Sequence, residues 1–309
     1  MTGGFHAPVM VEEVLEVLES AREGVILDGT LGGGGHAEAM LRRWPHCRIL
    51  GVDRDPEALH EAADRLALFS DRVRYLEMRF DHAMEDARKR GEALDGALLD
   101  LGVSSWQLDQ DRRGFAFRRG LPLDMRMNPE AGGPTAAHLL NHETEEELAR
   151  IFFEYGEEPR ARKLAREVLR RRAHAPLETS DDLVAALART LNRAPGQKEK
   201  ARAFQALRIA VNQELEALQG ALREGLEALK AGGVLAVIAY HSLEDRMVKN
   251  AFREWSRDCI CPPEIPVCRC RGRALGAPVF KGPLRPSQEE VEENPRARSA
   301  RLRGWRKAS

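Results

Sequence analysis

The sequence predicts an α/β fold, a parallel sheet wound with helices and interrupted after its fourth strand by a helical insertion. Three observations carry this. Over the first hundred residues short apolar runs alternate with helical patterns, as βαβ units do. A glycine-rich turn follows the first of those runs, and an aspartate closes the second. From Ser105 to about Ala210 no strand pattern occurs, after which an apolar run resumes the sheet.

Taken in order, Val11, Val14, Leu15 and Leu18 recur at helical spacing and predict an amphipathic helix. Val25–Asp28 reads as a strand that ends in Gly29-Thr-Leu-Gly-Gly-Gly-Gly-His36, with a helix following to about Arg43. Arg48–Asp53 is a second strand, and Asp55-Pro56 supplies an N-cap and first-turn pair for the next helix. Residues 73–78 and 97–102 are the third and fourth strands. Within the insertion, Thr144-Glu-Glu-Glu147 is a capping box, Arg160–Arg172 a basic helix, and Ser180 opens another helix. A helix over 211–229, a turn over 230–233 and a strand over 234–240 return to the sheet. A second capping box begins at Ser287, and the alternation in residues 298–305 predicts a final strand. The domains are then 1–104 with 211–309, and the insertion 105–210.

Composition narrows the classes. With 309 residues, 43% hydrophobic and 31% charged, the chain is long and apolar enough for a sizeable core, and it does not read as disordered. The longest apolar run, 234–240, is far below the roughly 20 residues of a membrane span. The first residues carry no basic and apolar leader pattern, so a cytoplasmic protein without a membrane partner is expected. The net charge of −1 conceals a basic end: residues 271–309 hold ten Lys and Arg against four Asp and Glu. That asymmetry suits an enzyme meeting a polyanion locally.

The strand, glycine turn, helix and Asp53 form the leading candidate site. Such a turn allows close backbone approach, and the helix start offers N–H groups. Asp53 lies 21 residues after Gly32, a spacing at which a carboxylate reaches ribose hydroxyls. The turn reads G-x-x-G-G-G-G, so the G-x-G-x-x-G fingerprint of dinucleotide sites is not matched. Asp28 would repel a pyrophosphate and attract an ammonium. Charge therefore favours S-adenosylmethionine over a nicotinamide dinucleotide.

Seven segments in order carry a resemblance to a known family. They are residues 6–10 (His-Ala-Pro-Val-Met), 28–36 (Asp-Gly-Thr-Leu-Gly-Gly-Gly-Gly-His) and 53–56 (Asp-Arg-Asp-Pro), then 99–109, 122–127 (Pro-Leu-Asp-Met-Arg-Met), 240–246 (Tyr-His-Ser-Leu-Glu-Asp-Arg) and 294–303. The sequence resembles the MraW/RsmH family of bacterial small-subunit (16S) ribosomal RNA cytidine-N4 methyltransferases over nearly its whole length. The resemblance implies a Class I, Rossmann-like methyltransferase sheet, S-adenosylmethionine as cofactor, and 16S rRNA in the small ribosomal subunit or a late assembly intermediate as partner. It further implies that Gly34, Gly35 and His36 line the methionine end, Asp53 takes the ribose, Phe80 packs near the adenine, and Asp100 and Gln107 complete the pocket.

The exocyclic amine of cytosine is a weak nucleophile because its lone pair is conjugated into the ring, so an acceptor for its N–H is needed. The Asp/Asn-Pro-Pro-aromatic motif of many amino-methyltransferases is absent, and the position reads Asp100-Leu-Gly-Val-Ser-Ser. Asp100 is the candidate catalytic acceptor. Alone, its residue type equally suits a turn carboxylate. Asp124 and Arg126 read either as a structural ion pair or as substrate contacts, and His241 as a loop histidine or a substrate-facing one.

Arg162, Arg166 and Arg170 share one helical face and could track phosphates, which makes 105–210 the expected RNA-recognition domain. Arg296, Arg298, Arg301, Arg303, Arg306 and Lys307 invite the same reading at the end of the chain. Cys259, Cys261, Cys268 and Cys270 form C-x-C-x6-C-x-C; zinc, disulfides and free thiols all stay open. The rival functions are a methyltransferase of another RNA or of a small molecule, a nicotinamide-linked oxidoreductase, and a non-catalytic RNA-binding assembly factor.

Overall fold

The computed structural model describes residues 8–262, 267 and 269–309. They divide into two compact units, Val103–Glu214 on the one hand and 8–102 with Leu215–Ser309 on the other.

The larger unit is built on seven strands: β1 (Val25–Asp28), β2 (Arg48–Asp53), β3 (Val73–Glu77), β4 (Leu94–Asp100), β5 (Leu229–Ala239), β6 (Gly276–Pro278) and β7 (Arg301–Lys307). Their order in the sheet is β3-β2-β1-β4-β5-β7-β6. The first five pair in parallel, and β7 runs antiparallel to both β5 and β6. Winding outward from β1 in one direction and from β4 in the other leaves a switch point between them. Ligands of open α/β sheets bind beyond the carboxyl ends of the strands at such a point.

Both faces of this sheet are covered, which explains why its strands read as continuous apolar runs. Successive residues feed opposite cores. Ile26, Ile49, Leu98, Val234, Ala236 and Ile238 enter one cluster, which includes residues of α1 (Val11–Leu18) and α2 (Gly35–Arg43). Leu27, Leu50, Leu99, Leu235 and Val237 enter the other, completed by Met84 of α4 (Phe80–Lys89), Leu218 of α11 (Glu214–Ala228) and Phe252 of α12 (Ser242–Trp255). The remaining helices of this unit are α3 (Pro56–Arg65) and α13 (Gln288–Glu293).

The Val103–Glu214 unit is helical: α5 (Ser105–Asp109), α6 (Ala136–His142), α7 (Glu145–Glu154), α8 (Ala161–Arg172), α9 (Ser180–Leu191) and α10 (Gln197–Asn212). Its only β-type pairing among the described residues is a single bridge between Pro122 and Thr179. The predicted caps are present. Thr144 Oγ1 accepts from Glu147 N–H at 3.1 Å, Ser287 Oγ from Glu290 N–H at 3.0 Å, and Asp55 Oδ1 from Glu57 N–H at 3.2 Å.

Several boundaries differ from the sequence expectation: β4 spans Leu94–Asp100 where the sequence predicts 97–102, and β7 spans Arg301–Lys307 where the alternation covers 298–305. The helix expected over 211–229 is two helices, because Gln213 adopts the left-handed conformation (φ 52°) and ends α10. The expected turn at 230–233 lies inside β5, which starts at Leu229 opposite Leu94 and absorbs the glycines as a register shift before Val234 meets Gly96. The three-residue β6 has no periodicity to read; it is held by β7, and a Cβ at Gly276 would lie 2.5 Å from Trp305 Cζ2.

Trp305 locks this antiparallel edge. It is fully buried, its Nε1–H donates to Ser256 Oγ at 3.0 Å, and its ring lies 5.0 Å from that of Trp255. Trp305→Ala is expected to cost about 3–5 kcal/mol in urea unfolding. A loss below about 1 kcal/mol would mean that this edge is not part of the cooperative core.

Candidate active site

The carboxyl ends of β1, β2, β4 and β5 bring together Asp28, Asp53, Asp100 and Tyr240. The backbone there is stitched across strands. Gly29 N–H donates to the Leu98 carbonyl and Leu31 N–H to the Val52 carbonyl, both at 2.9 Å. Where carbonyls run out, side chains take over. Gly32 N–H donates to Asp53 Oδ2 at 2.8 Å, and Asp100 N–H to Thr30 Oγ1 at 2.6 Å. The glycine turn is thereby fixed against β2 and β4 at once.

The glycines serve distinct needs. A Cβ on Gly29 would sit 2.6 Å from Leu99 Cδ2 and 2.9 Å from Phe80 Cβ, so only hydrogen fits between the turn and the first residue of α4. Gly34 caps α2 in the left-handed conformation (φ 78°), where a side chain would be strained. Among the described residues no side-chain hydrogen bond caps α2, and His36 lies in its first turn.

Asp53 uses both oxygens on backbone donors, Oδ2 on Gly32 and Oδ1 on Asp55 N–H at 2.9 Å. The Arg54 N–H is a third backbone partner of this carboxyl, and its remaining acceptor capacity is open to a hydroxyl donor. Burial pushes the Asp53 carboxyl up to about 6, opposed by the N–H groups of Asp55 and Gly32. Asp28 is 1% exposed, and burial pushes its carboxyl up to about 7; His36 and the Thr30 N–H oppose this, while Asp100 and Asp53 add to it.

Asp100 is the more accessible of the two carboxylates that flank the switch point. The Tyr240 hydroxyl donates to its Oδ1 at 2.8 Å, and its Oδ2 lies 3.5 Å from His36 Nε2. Burial first, then the Asp100 charge and this hydrogen bond, raise the Tyr240 phenol well above its ordinary range, so it stays a donor. His36 is buried, and among the described residues neither of its ring nitrogens has a hydrogen-bond partner.

The sheet unit thus gathers Gly34, Gly35, His36, Asp53, Phe80 and Asp100 at one end, and adds Thr30 and Tyr240, to which sequence reasoning gave no role. Position was the one signal for them: Thr30 sits inside the glycine turn and Tyr240 directly follows β5. His241 is the N-cap of α12. Its Nδ1 accepts from Glu244 N–H at 3.4 Å, its Nε2 lies 3.1 Å from Glu244 Oε1, and Glu244 Oε2 accepts from the Tyr240 and His241 amides. His241 caps α12 through Nδ1, while its buried Nε2 has no hydrogen-bond partner among the described residues.

Gln107, Asp124, Arg126, Arg162, Arg166 and Arg170 belong to the helical unit. Gln107 completes a capping box with Ser104. Asp124 and Arg126 form a two-pronged ion pair at 2.9 and 2.7 Å, and Arg126 holds the Asp124 carboxyl below its usual range against the opposing effect of burial. On α8, Arg162 is exposed, Arg166 pairs with Glu145 at 2.9 Å, and Arg170 and Arg171 share the buried Glu167. At the basic end of the chain several cations have partners within the protein. Arg301 and Arg303 both grip Asp245, and Lys307 donates to the Leu226 and Leu229 carbonyls. These cations fasten β7 to its neighbours.

Residues 4–308 match the MraW methylase family. The chain belongs to this family. The proteins named ribosomal RNA small subunit methyltransferase H from Gemmatimonas aurantiaca and Heliobacterium modesticaldum are 48% and 50% identical to it; the alignments span 99% and 98% of this chain and 96% and 98% of those relatives. The strand order, with β7 antiparallel between β5 and β6, agrees with the Class I methyltransferase sheet expected from the sequence, and S-adenosylmethionine is the cofactor that expectation brings with it. The site suits that group. Three carboxylates crowd the glycine turn, a setting that repels pyrophosphate and favours an ammonium and a sulfonium. Among the described residues α2 has no side-chain cap and the ring nitrogens of His36 have no hydrogen-bond partner, with Asp100 Oδ2 as the nearby charge at 3.5 Å from Nε2.

A carboxyl with a raised folded-state pKa stabilises the fold at low pH, and that contribution is lost as pH rises towards the folded value. For Asp28 the window runs from about 4 to about 7. In cofactor-free protein, Asp28→Asn is therefore expected to gain on the wild type as pH rises from 5 to 8, by about 2–3 kcal/mol. Urea titrations at both pH values check this; parallel profiles for the two proteins would mean that Asp28 ionises freely.

Proposed function

We propose that this methylase transfers a methyl group from S-adenosylmethionine to the exocyclic N4 of a cytidine in 16S rRNA of the small ribosomal subunit, in the cytoplasm. The observation that carries this reading is Asp100, held at the switch point by Tyr240 through one oxygen while the other faces His36 at 3.5 Å. The names of the relatives, ribosomal RNA small subunit methyltransferase H, support the substrate class.

When bound, S-adenosylmethionine supplies an electrophilic methyl on a sulfonium whose departure needs no acid. Gly34, Gly35 and the α2 amides hold the methionine end, Asp28 and His36 offering it a carboxylate and a ring nitrogen. Asp53 accepts the ribose hydroxyls with its remaining acceptor capacity, and Phe80 covers the adenine. Asp100 accepts a hydrogen bond from the target N–H. That bond draws the nitrogen lone pair out of conjugation and fixes its direction, and orientation of this kind supplies a large part of such a barrier. Tyr240, kept neutral, donates to the carboxylate and sets its plane.

The helical unit is the proposed RNA-recognition domain, with Arg162, Arg166 and Arg170 on phosphates and Asp124 and Arg126 as further substrate contacts; His241, in the sheet unit, is the remaining proposed substrate residue. The ion pairs of Arg166 and Arg170 are at the surface, where exchange for a phosphate costs little. Reaching N4 requires an unstacked cytidine, which favours a folded subunit or a late assembly intermediate over free duplex.

Labelled methyl transfer to small subunits lacking the modification, followed by nucleoside analysis, is expected to place the label in N4-methylcytidine. Label in another nucleoside, or only in a small molecule, overturns the assignment. Asp100→Asn is expected to lower kcat about 100-fold or more with the cofactor Kd little changed. Full turnover at saturating cofactor would remove Asp100 from the chemistry.

A further inference from the structure

We propose that Cys259, Cys261 and Cys270 bind a zinc ion that staples the loop between α12 and β6. From Ser256 to Leu275 the described residues form no helix or strand. Loops longer than about 12–15 residues without such structure are uncommon in compact folds. This one has little core to order it: Ile260 and Val267 are 41% and 68% exposed, and Cys259 is exposed too. Yet the Sγ atoms of the three cysteines all lie within 4.8 Å of one another.

The spacing discriminates between outcomes. Cys270 Sγ and Cys259 Sγ are 3.8 Å apart. A disulfide holds its sulfurs about 2.0 Å apart. Two thiolates on a tetrahedral zinc at about 2.3 Å stand about 3.8 Å apart. Apolar packing does not account for the convergence either, because these thiols are exposed or half-buried.

The surroundings are those of a thiolate cluster. Ile260 N–H donates to Cys270 Sγ at 3.3 Å and Arg269 N–H to Cys261 Sγ at 3.4 Å. Outer donors of this kind orient metal ligands and stabilise their charge. The base of the loop is pinned independently. Leu275 N–H donates to the Trp255 carbonyl at 2.7 Å, Ala274 N–H to Asp258 Oδ1 at 3.0 Å, and the Arg271 guanidinium reaches the Glu254 and Arg257 carbonyls. The two ends of the segment are therefore brought together before any ion binds, and a three-sulfur set selects a soft, tetrahedral ion. Each thiol releases its proton to solvent as it binds. Cys268, the fourth cysteine of the segment, lies outside the described residues; the site assigned here consists of the other three.

The full-length protein, purified under reducing conditions without chelator, is expected to carry about one zinc per chain by elemental analysis. Cys259→Ser and Cys270→Ser are each expected to remove at least four-fifths of it, and Cys47→Ser, at a buried thiol elsewhere, none. Cobalt titrated into the metal-free wild type is expected to give an intense thiolate-to-cobalt charge-transfer band, which reads the site without any variant having to fold. Chelation is expected to speed tryptic cleavage at Arg257, Arg269, Arg271 or Arg273 at least tenfold. A metal-free chain whose reduced form gives no such band, or zinc retained in both serine variants, overturns the site.

Discussion

The crossing of the glycine turn over the gap between β1 and β4 is the constraint on which the rest of the site depends. A parallel sheet covered on both faces leaves its strand ends with backbone groups that solvent reaches poorly, and each needs a partner. Here Asp53 and Thr30 provide two of those partners, tying the turn to β2 and to the start of the segment after β4. Because these side chains accept from the backbone, they are held in place by the same bonds that close the turn. Pre-organisation of the site and closure of the fold are a single set of interactions.

That arrangement crowds carboxylates. Asp28 and Asp53 both carry carboxyls pushed up by burial, so the pocket accommodates its acids partly by protonation. A cationic ligand reverses the balance, since an adjacent positive charge favours the ionised form. Selectivity against pyrophosphate then follows from the apoprotein's own electrostatics. Elsewhere the opposite pairing rule holds: Asp245 between Arg301 and Arg303, and Glu167 between Arg170 and Arg171, are held low by guanidinium partners. Several of the cations that look like an RNA surface in the sequence thus also have carboxylate partners within the fold.

What could be read from the sequence follows from how local each signal is. The two-sided apolar strands, the turn at 29–35 and the N-caps at Thr144 and Ser287 are written within a few residues, and they fold as read, the caps through the forward side-chain bond. Where long-range pairing decides, reading fails. The glycines at 232 and 233 mark a turn to the eye, yet Leu94 captures Leu229 and draws them into β5. Gln213 breaks a helix with no proline or glycine present. Glu145 reaches Arg166 from a neighbouring helix, and Tyr240 reaches Asp100 across 140 positions, a distance over which no spacing rule operates.

The Tyr240–Asp100 bond also explains how the site does without an Asp/Asn-Pro-Pro-aromatic motif. Such a segment would fix an acceptor through rigid backbone, since proline locks φ. In this chain Asp100 is followed by Leu101 and by Gly102 in the left-handed conformation (φ 97°), a permissive backbone that cannot alone hold a carboxylate still. The work of orientation passes to three groups on other elements. Leu101 N–H bonds to the Ile238 carbonyl at 3.0 Å, Thr30 Oγ1 accepts from the Asp100 amide, and the phenol of Tyr240 binds one carboxylate oxygen. Side-chain and cross-strand bonds from β1 and β5 thus substitute for local stiffness, and the other carboxylate oxygen is left directed at the site.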